Sequence, residues 1–231
     1  DAAGNSATSA GVAVSVQNAA APGGLVAAYG FEETSGTAVT DSSGRGNGGT
    51  IAGGAVRTAS GRFGRAITFD GVNDMVSVPD SNSLDLTGAM TLEAWVNPSA
   101  LGSVWRTVVL KESPGYFRYA LYANNDVNGP SGHVYVNADL DARATSRLPL
   151  NTWAHLATTY DGTTVRVYVN GTQVASRAVT GAMSASTNPL RIGGNTVWSE
   201  WFRGLIDEVR VYDRALSPAE IAADMGRGVG A

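Results

Sequence analysis

The chain has 231 residues, 29 of them glycine, no cysteine, a single lysine (Lys111) and a formal net charge of −4. That length suits one all-β domain with a full core, and the missing cysteine excludes disulfides, zinc–thiolate sites and a cysteine nucleophile. Acids outnumber bases 20 to 16 without any Lys/Arg run, so there is no electrostatic footprint for nucleic acid or an anionic membrane surface.

The chain opens on "DAAGNSATSAGVAVSVQNAAAPGG" (1–24), a turn-forming cluster, the alternating run Val12, Val14, Val16, and an Ala/Pro/Gly linker. This stretch resembles the last strand of a bacterial immunoglobulin-like module. It is expected to be the remnant of a preceding module plus linker, from a longer multidomain surface or secreted protein; a plain extension is the alternative. No run of about eighteen apolar residues and no charged-then-apolar leader is visible, so no membrane insertion is expected.

From Leu25 onward, short apolar or alternating runs are separated by Gly/Asn/Asp/Ser/Pro clusters, the pattern of a sandwich or barrel. Strands are expected at 25–31, 66–70, 75–79, 90–96, 107–111, 116–122, 133–137, 153–160, 164–170, 173–179, 190–194 and 204–212. In "VRVYVNGTQVAS" the valines 165, 167 and 169 share one face, and Asn170-Gly171 supplies the positive φ angles of a tight hairpin. One short helix is expected at the end, in "LSPAEIAADM", where Ser217 caps, Pro218 takes the first helical position and Glu220 completes a capping box. Many strands and one helix predict an all-β fold of two antiparallel sheets packed face to face.

The segment "DSSGRGNGGT" (41–50) admits two roles. It is a surface loop, since glycine and asparagine tolerate unusual backbone angles and Asp and Ser bond back to nearby amides, or it is half of a cation site that needs oxygen ligands from elsewhere. The second half is sought in "WFRGLIDEVRVYDRALS" (201–217). Strict alternation there puts Leu205, Asp207, Val209 and Val211 on one side and Ile206, Glu208, Arg210 and Tyr212 on the other. Asp207 then lies on an apolar face, where a carboxylate must be at a sheet margin, hydrogen-bonded or bound to a cation.

Together "AYGFEET" (28–34), "DSSGRGNGGT" (41–50), "GRAITFDGVNDMVSVPDS" (64–81), "MTLEAWV" (90–96), "NTWAHLATTYDG" (151–162), "VRVYVNGTQVAS" (165–176) and "FRGLIDEVRVYDRALSPAEI" (202–221) resemble the laminin G-like, concanavalin A-like domains of large bacterial secreted proteins. The resemblance implies one jelly-roll sandwich over 25–225 with a tail at 226–231, a secreted or cell-surface setting, and a structural calcium ion between the loop after the first strand and the start of the last. Carried onto this chain, its ligands are the Asp41 carboxylate, the Gly44 and Thr50 carbonyls, the Asn47 side chain and Asp207, with Glu208 as a lesser candidate. These oxygens suit calcium, and soft-metal chemistry is excluded. Ser43 and Arg45 stand where an EF-hand needs Asp or Asn. "NNDVNG" (124–129) has the better spacing but lacks the closing Glu, Tyr135 standing there, and is expected to be a turn.

Glycoside hydrolases of this sandwich carry an E-x-D-x-E strand, which this chain lacks. The two histidines, His133 and His155, lie in apolar strands and are expected as strand or core residues. No nucleophile elbow, P-loop or dinucleotide fingerprint occurs, and no enzyme is expected. Carbohydrate binding rests on exposed rings that stack on sugar CH faces, with polar side chains beside them. Trp95 and Trp153 fall in strand motifs, whereas Trp105, Trp198 and Trp201 fall in connections. These three, with Arg118, Tyr122 and Asn124, are the candidate oligosaccharide or polysaccharide site; packing over the open end of the sandwich is their other role. The expected function is a non-catalytic, calcium-stabilised carbohydrate-binding module that targets a larger protein, other domains of the parent chain being its partners. A protein-binding or spacer domain is the alternative.

Overall fold

The computed structural model describes residues 24–230; the strand and linker expected over 1–24 lie outside the described residues, apart from Gly24. In chain order the strands are β1 (Leu25–Tyr29), β2 (Ala38–Val39), β3 (Gly49–Ala52), β4 (Val56–Thr58), β5 (Ala66–Asp70) and β6 (Met75–Val78), followed by a 3-10 turn at Asn82–Leu84. Next come β7 (Met90–Pro98), β8 (Arg106–Ser113), β9 (Tyr116–Asn124), β10 (Ser131–Tyr135) and β11 (Asp139–Arg143). The chain continues with β12 (Ala154–Tyr160), β13 (Thr164–Val169), β14 (Thr172–Ala178), β15 (Leu190–Ile192), β16 (Arg203–Tyr212) and the helix α1 (Pro218–Met225). The first sheet runs β14-β13-β12-β7-β16-β5-β4, with β1 also on β16, and the second runs β11-β10-β9-β8-β15-β6-β3-β2.

The two sheets meet face to face, and alternate residues of each fill the space between them. Leu92, Ala94 and Val96 of β7 pack with Leu156, Val165 and Val167 on one side and with Val76, Val78, Leu121 and Val134 on the other. Each such leucine or valine contributes about 1.5–3 kcal/mol by leaving water. The lone lysine, Lys111, is also inside, 1% exposed and paired with Asp80.

All twelve expected strands form. The hairpin turns at Asn170 (φ 50°) and Gly171 (φ 77°), and Ser217 and Glu220 make the reciprocal capping box of α1. Four short strands were not expected, and one of them, β3, takes Gly49 and Thr50 from the end of the glycine-rich loop.

Two β-bulges shift the facing of their strands, and the one in β16 overturns the alternation expected there. In β16, Asp207 pairs with Trp95 and Arg210 with Glu93, so three steps on one strand oppose two on the other. Glu208 absorbs the extra residue at φ 53°. Ile206 therefore joins Val209 and Val211 in the core, and Asp207 points away from it, beside Trp95. In β9, Ala120 pairs with Leu110 and Phe117 with Glu112. Phe117 thereby leaves the inward set of Tyr119 and Leu121 and joins Ala120 and Tyr122 on the outer face.

Candidate functional site

The outer face of the second sheet carries an open aromatic pocket of about 270 Å3. Its floor is Phe117 and Tyr122 of β9 with His133 of β10, all nearly buried. Trp105 stands edge-on to Tyr122, ring centres 4.9 Å apart, and to His133 at 5.4 Å. Across the pocket Trp198 stands edge-on to Tyr116 at 5.1 Å and to Phe117 at 5.8 Å, and it is 40% exposed. The bulge in β9 is what brings Phe117 under Trp198.

Polar atoms converge among these rings. Tyr122 donates its hydroxyl hydrogen to Glu200 (2.9 Å), and the His133 ring lies 2.9 Å from the Asp139 carboxylate and 3.0 Å from the Ser131 hydroxyl. Burial, more than the neighbouring Glu200 charge, raises the Tyr122 phenol well above its usual range. Burial likewise raises the Glu200 carboxyl, against the lowering by hydrogen bonds from Asn195 and Tyr122.

One side chain folds the rim. Asn195, fully buried, donates to Thr107 Oγ1 and to Glu200, both at 2.8 Å, and accepts from the Trp198 amide at 2.9 Å. Thr196 is tied to Glu112 through its amide and hydroxyl. The loop thereby presents Trp198 and Glu200 over the floor at fixed positions.

Of the six expected ligand residues, Trp105, Tyr122 and Trp198 line this pocket; the other three do not. Asn124 is fully buried and donates to the carbonyls of Val104 and Asn125, so it shapes the turn at 124–129. Trp201 packs against Gly194, where a Cβ would sit 2.3 Å from its ring, while its carbonyl accepts from Arg106. Arg118 lies over the Tyr135 ring and donates to the Ala185 carbonyl. Sequence reasoning missed Tyr116, Phe117, His133, Asp139 and Glu200. The aromatic run 116–122 was the available signal, and the bulge hid which of its rings face out.

The residues expected to share a calcium ion do not form one oxygen cage. Asp41 accepts from the amides of Ala28, Ser43 and Asn47 and from the Ser43 hydroxyl. The Asn47 amide group donates to the Val26 carbonyl and Ser83 hydroxyl and accepts from Ser81. Asp207 has a separate set of donors, the amides of Arg62, Phe63 and Glu208. Burial outweighs these three and pushes its carboxyl up to about 7. The Asp41 and Asp207 oxygens thus face hydrogens from different loops. Gly44 makes no close approach that a Cβ would block, and Thr50 sits in β3 of the opposite sheet from Asp207. Glu208 pairs with Arg210 and accepts from the Val229 amide. Among the described residues no group of three or more His, Asp or Glu is arranged to hold a metal ion.

The outer face of the first sheet holds a second aromatic and acidic cluster, which is covered. Ile221 of α1 packs with Leu216, Tyr168 and Tyr212, and Tyr212 donates to Asp224 of the helix. Beneath, Glu93 and His155 are fully buried, and the His155 ring makes no hydrogen bond among the described residues. Burial and then the Asp224 charge hold the Glu93 carboxyl well above its usual range.

Known proteins share this architecture. Domain 4 of AbnA, a GH43 extracellular arabinanase from Geobacillus stearothermophilus solved with arabinotriose, superposes with a TM-score of 0.75 at 25% identity, over 87% of this chain and 98% of that one. The ligand-binding domain of botulinum neurotoxin serotype D, solved with N-acetylneuraminic acid, shares the fold (TM-score 0.68, 12% identity, 88% of this chain and 50% of that one). Mouse pappalysin-1 is 40% identical over 78 residues, which are 32% of this chain and 5% of that protein, so the match spans a small part of the relative's length. The family model described as the concanavalin A-like lectin/glucanases superfamily matches residues 70–222. That match covers well over half of the chain, and the chain belongs to the concanavalin A-like lectin/glucanases superfamily.

Proposed function

We propose that this domain binds carbohydrate without transforming it, at the aromatic pocket on the outer face of the second sheet. The observation that carries the proposal is the meeting of Trp105 and Trp198, from loops distant in sequence, across a floor of Phe117, Tyr122 and His133. Exposed rings offer area to sugar CH faces, and carboxylates beside them accept hydroxyl hydrogens. A volume near 270 Å3 suits a short piece of glycan, slightly under the roughly 300 Å3 at which ligand pockets begin. The arabinotriose complex of the AbnA domain supports a sugar as the ligand.

His133 and Tyr122 stand within one pocket, as a polysaccharide lyase would need, yet their polar atoms are already paired and the Tyr122 phenol is shifted away from the easy ionisation a base requires. They serve here as floor. A role in bringing a larger extracellular protein to polysaccharide follows from such binding, and the extracellular setting of the AbnA domain supports it.

Titration with a panel of neutral oligosaccharides, arabino-oligosaccharides among them, followed by tryptophan fluorescence and calorimetry, tests the proposal. Saturable binding that Trp198→Ala weakens at least about tenfold, roughly 1.4 kcal/mol, is expected, with no new reducing ends or unsaturated products. Absence of binding to every glycan would leave the domain a spacer or protein-binding module.

A further inference from the structure

The charges around the pocket narrow the ligand, given the reading of the pocket as a sugar site. Asp139 and Glu200 both line it, and among the described residues neither lysine nor arginine does. Arg143 stacks over the Trp105 ring, 5.3 Å from its centre, and is committed to Asp126 at 2.6 Å and to Asp141. The His133 ring sits between Asp139 and Ser131 and is 1% exposed.

Glu200 uses Oε2 for both Tyr122 and Asn195, and Oε1 takes part in neither bond. Burial pushes the Glu200 carboxyl up, against the lowering by Asn195, Tyr122 and the His133 charge, and the Asp139 charge adds the smallest upward push. Two carboxylates therefore share a partly desolvated space walled by ring faces, which themselves attract cations. An acidic sugar entering here meets repulsion from both carboxylates and from the rings. A neutral sugar can donate hydroxyl hydrogens to the carboxylates but brings no charge to offset theirs. A sugar with an ammonium group brings ionised donors to ionised acceptors and adds direct attraction between opposite charges in a site of lowered polarity.

We propose that the pocket selects glycans bearing a free ammonium group, of the 2-amino-2-deoxyhexose class, over their N-acetylated, neutral and acidic counterparts. The rings hold the CH face of the sugar while Glu200 Oε1 and Asp139 take the ammonium.

Three oligosaccharides of one linkage and length, built from glucosamine, N-acetylglucosamine and glucose, give the matched comparison, titrated calorimetrically at a pH where the amine is protonated. The glucosamine oligomer is expected to bind about tenfold or more tighter than its two counterparts. The advantage should shrink as salt is raised and vanish in Glu200→Gln/Asp139→Asn, with folding checked by the thermal transition. Glu200→Gln alone, which keeps the hydrogen bonds to Tyr122 and Asn195 within reach, should lose part of the advantage if the double variant does not fold. Equal or tighter binding of the glucose or N-acetylglucosamine oligomer overturns the ammonium preference and leaves the sugar site standing. So does binding confined to other neutral glycans. Failure of every glycan removes both.

Discussion

Both sheets carry, on the face turned from the core, a histidine in a strand, tyrosines and carboxylates, yet one cluster is shut and the other open. On the first sheet α1 lies over Tyr168 and Tyr212 and seals Glu93 and His155 away from water. On the second sheet the loop 195–201 stops at the rim, and Trp198 remains 40% exposed. The residue types are alike; what separates a covered layer from an open surface is the element that follows. A capped helix with an apolar residue pointing down makes a lid, whereas a loop pinned by Asn195 makes a wall.

If that contrast holds, the largest effect belongs to the lid. Ile221→Ala removes a fully buried contact and is expected to cost about 2–5 kcal/mol in denaturant unfolding, while glycan affinity of the folded fraction stays unchanged. Loss of affinity in parallel would show that the two outer faces are not independent.

The next effect is a pH dependence. Burial, and then the Arg210 charge, push the His155 imidazole down to about 3. The unfolded chain takes up this proton below about 6.5 and the folded one does not until about 3, so stability is full above that window and is lost as pH falls through it. His155→Leu should flatten the acid limb, by at most about 1.4 kcal/mol for each pH unit. The measurement is the difference between variant and parent stability from neutral pH to pH ~4. An unchanged acid limb would mean that His155 is charged or reached by water in the folded protein.

On the open face, Asn195→Ala is expected to weaken glycan binding several-fold, because Trp198 and Glu200 lose their common anchor; affinity and the Trp198 emission spectrum report it together. Retained affinity would mean that the floor alone binds. The smallest effect concerns Asp41. Its oxygens hold three amides and a hydroxyl, so Asp41→Ala should lower the melting temperature equally in calcium and in chelator. A larger drop in calcium would restore an ion shared with Asp207.

The contrast also explains what could be read in advance. Strands and the terminal helix were legible because alternation, the Asn170-Gly171 turn and the Ser217–Glu220 box are local codes. Trp105 and Trp198 were legible as binding candidates because a tryptophan in a connection has no strand face to bury it. Facing beyond a bulge was not legible: one additional residue near Glu208 or before Ala120 inverts every side chain on one side of it, and nothing in the letters marks where it falls. That inversion misplaced Asp207 and hid Phe117. Glu200, Asp139 and Asn195 depend on where a loop lands, and Asn124 turned inward because the Val104 carbonyl needed a donor.

Lys111 is the sole lysine and it is enclosed beside Asp80. Aldehyde ends of reducing saccharides condense with free amines, and every accessible lysine is a point where such a ligand could become a permanent adduct. Charge on this surface is carried instead by guanidinium groups, which are poor partners in that condensation at neutral pH. In the sugar-binding role proposed above, the one reactive side-chain amine stays out of reach of the ligand.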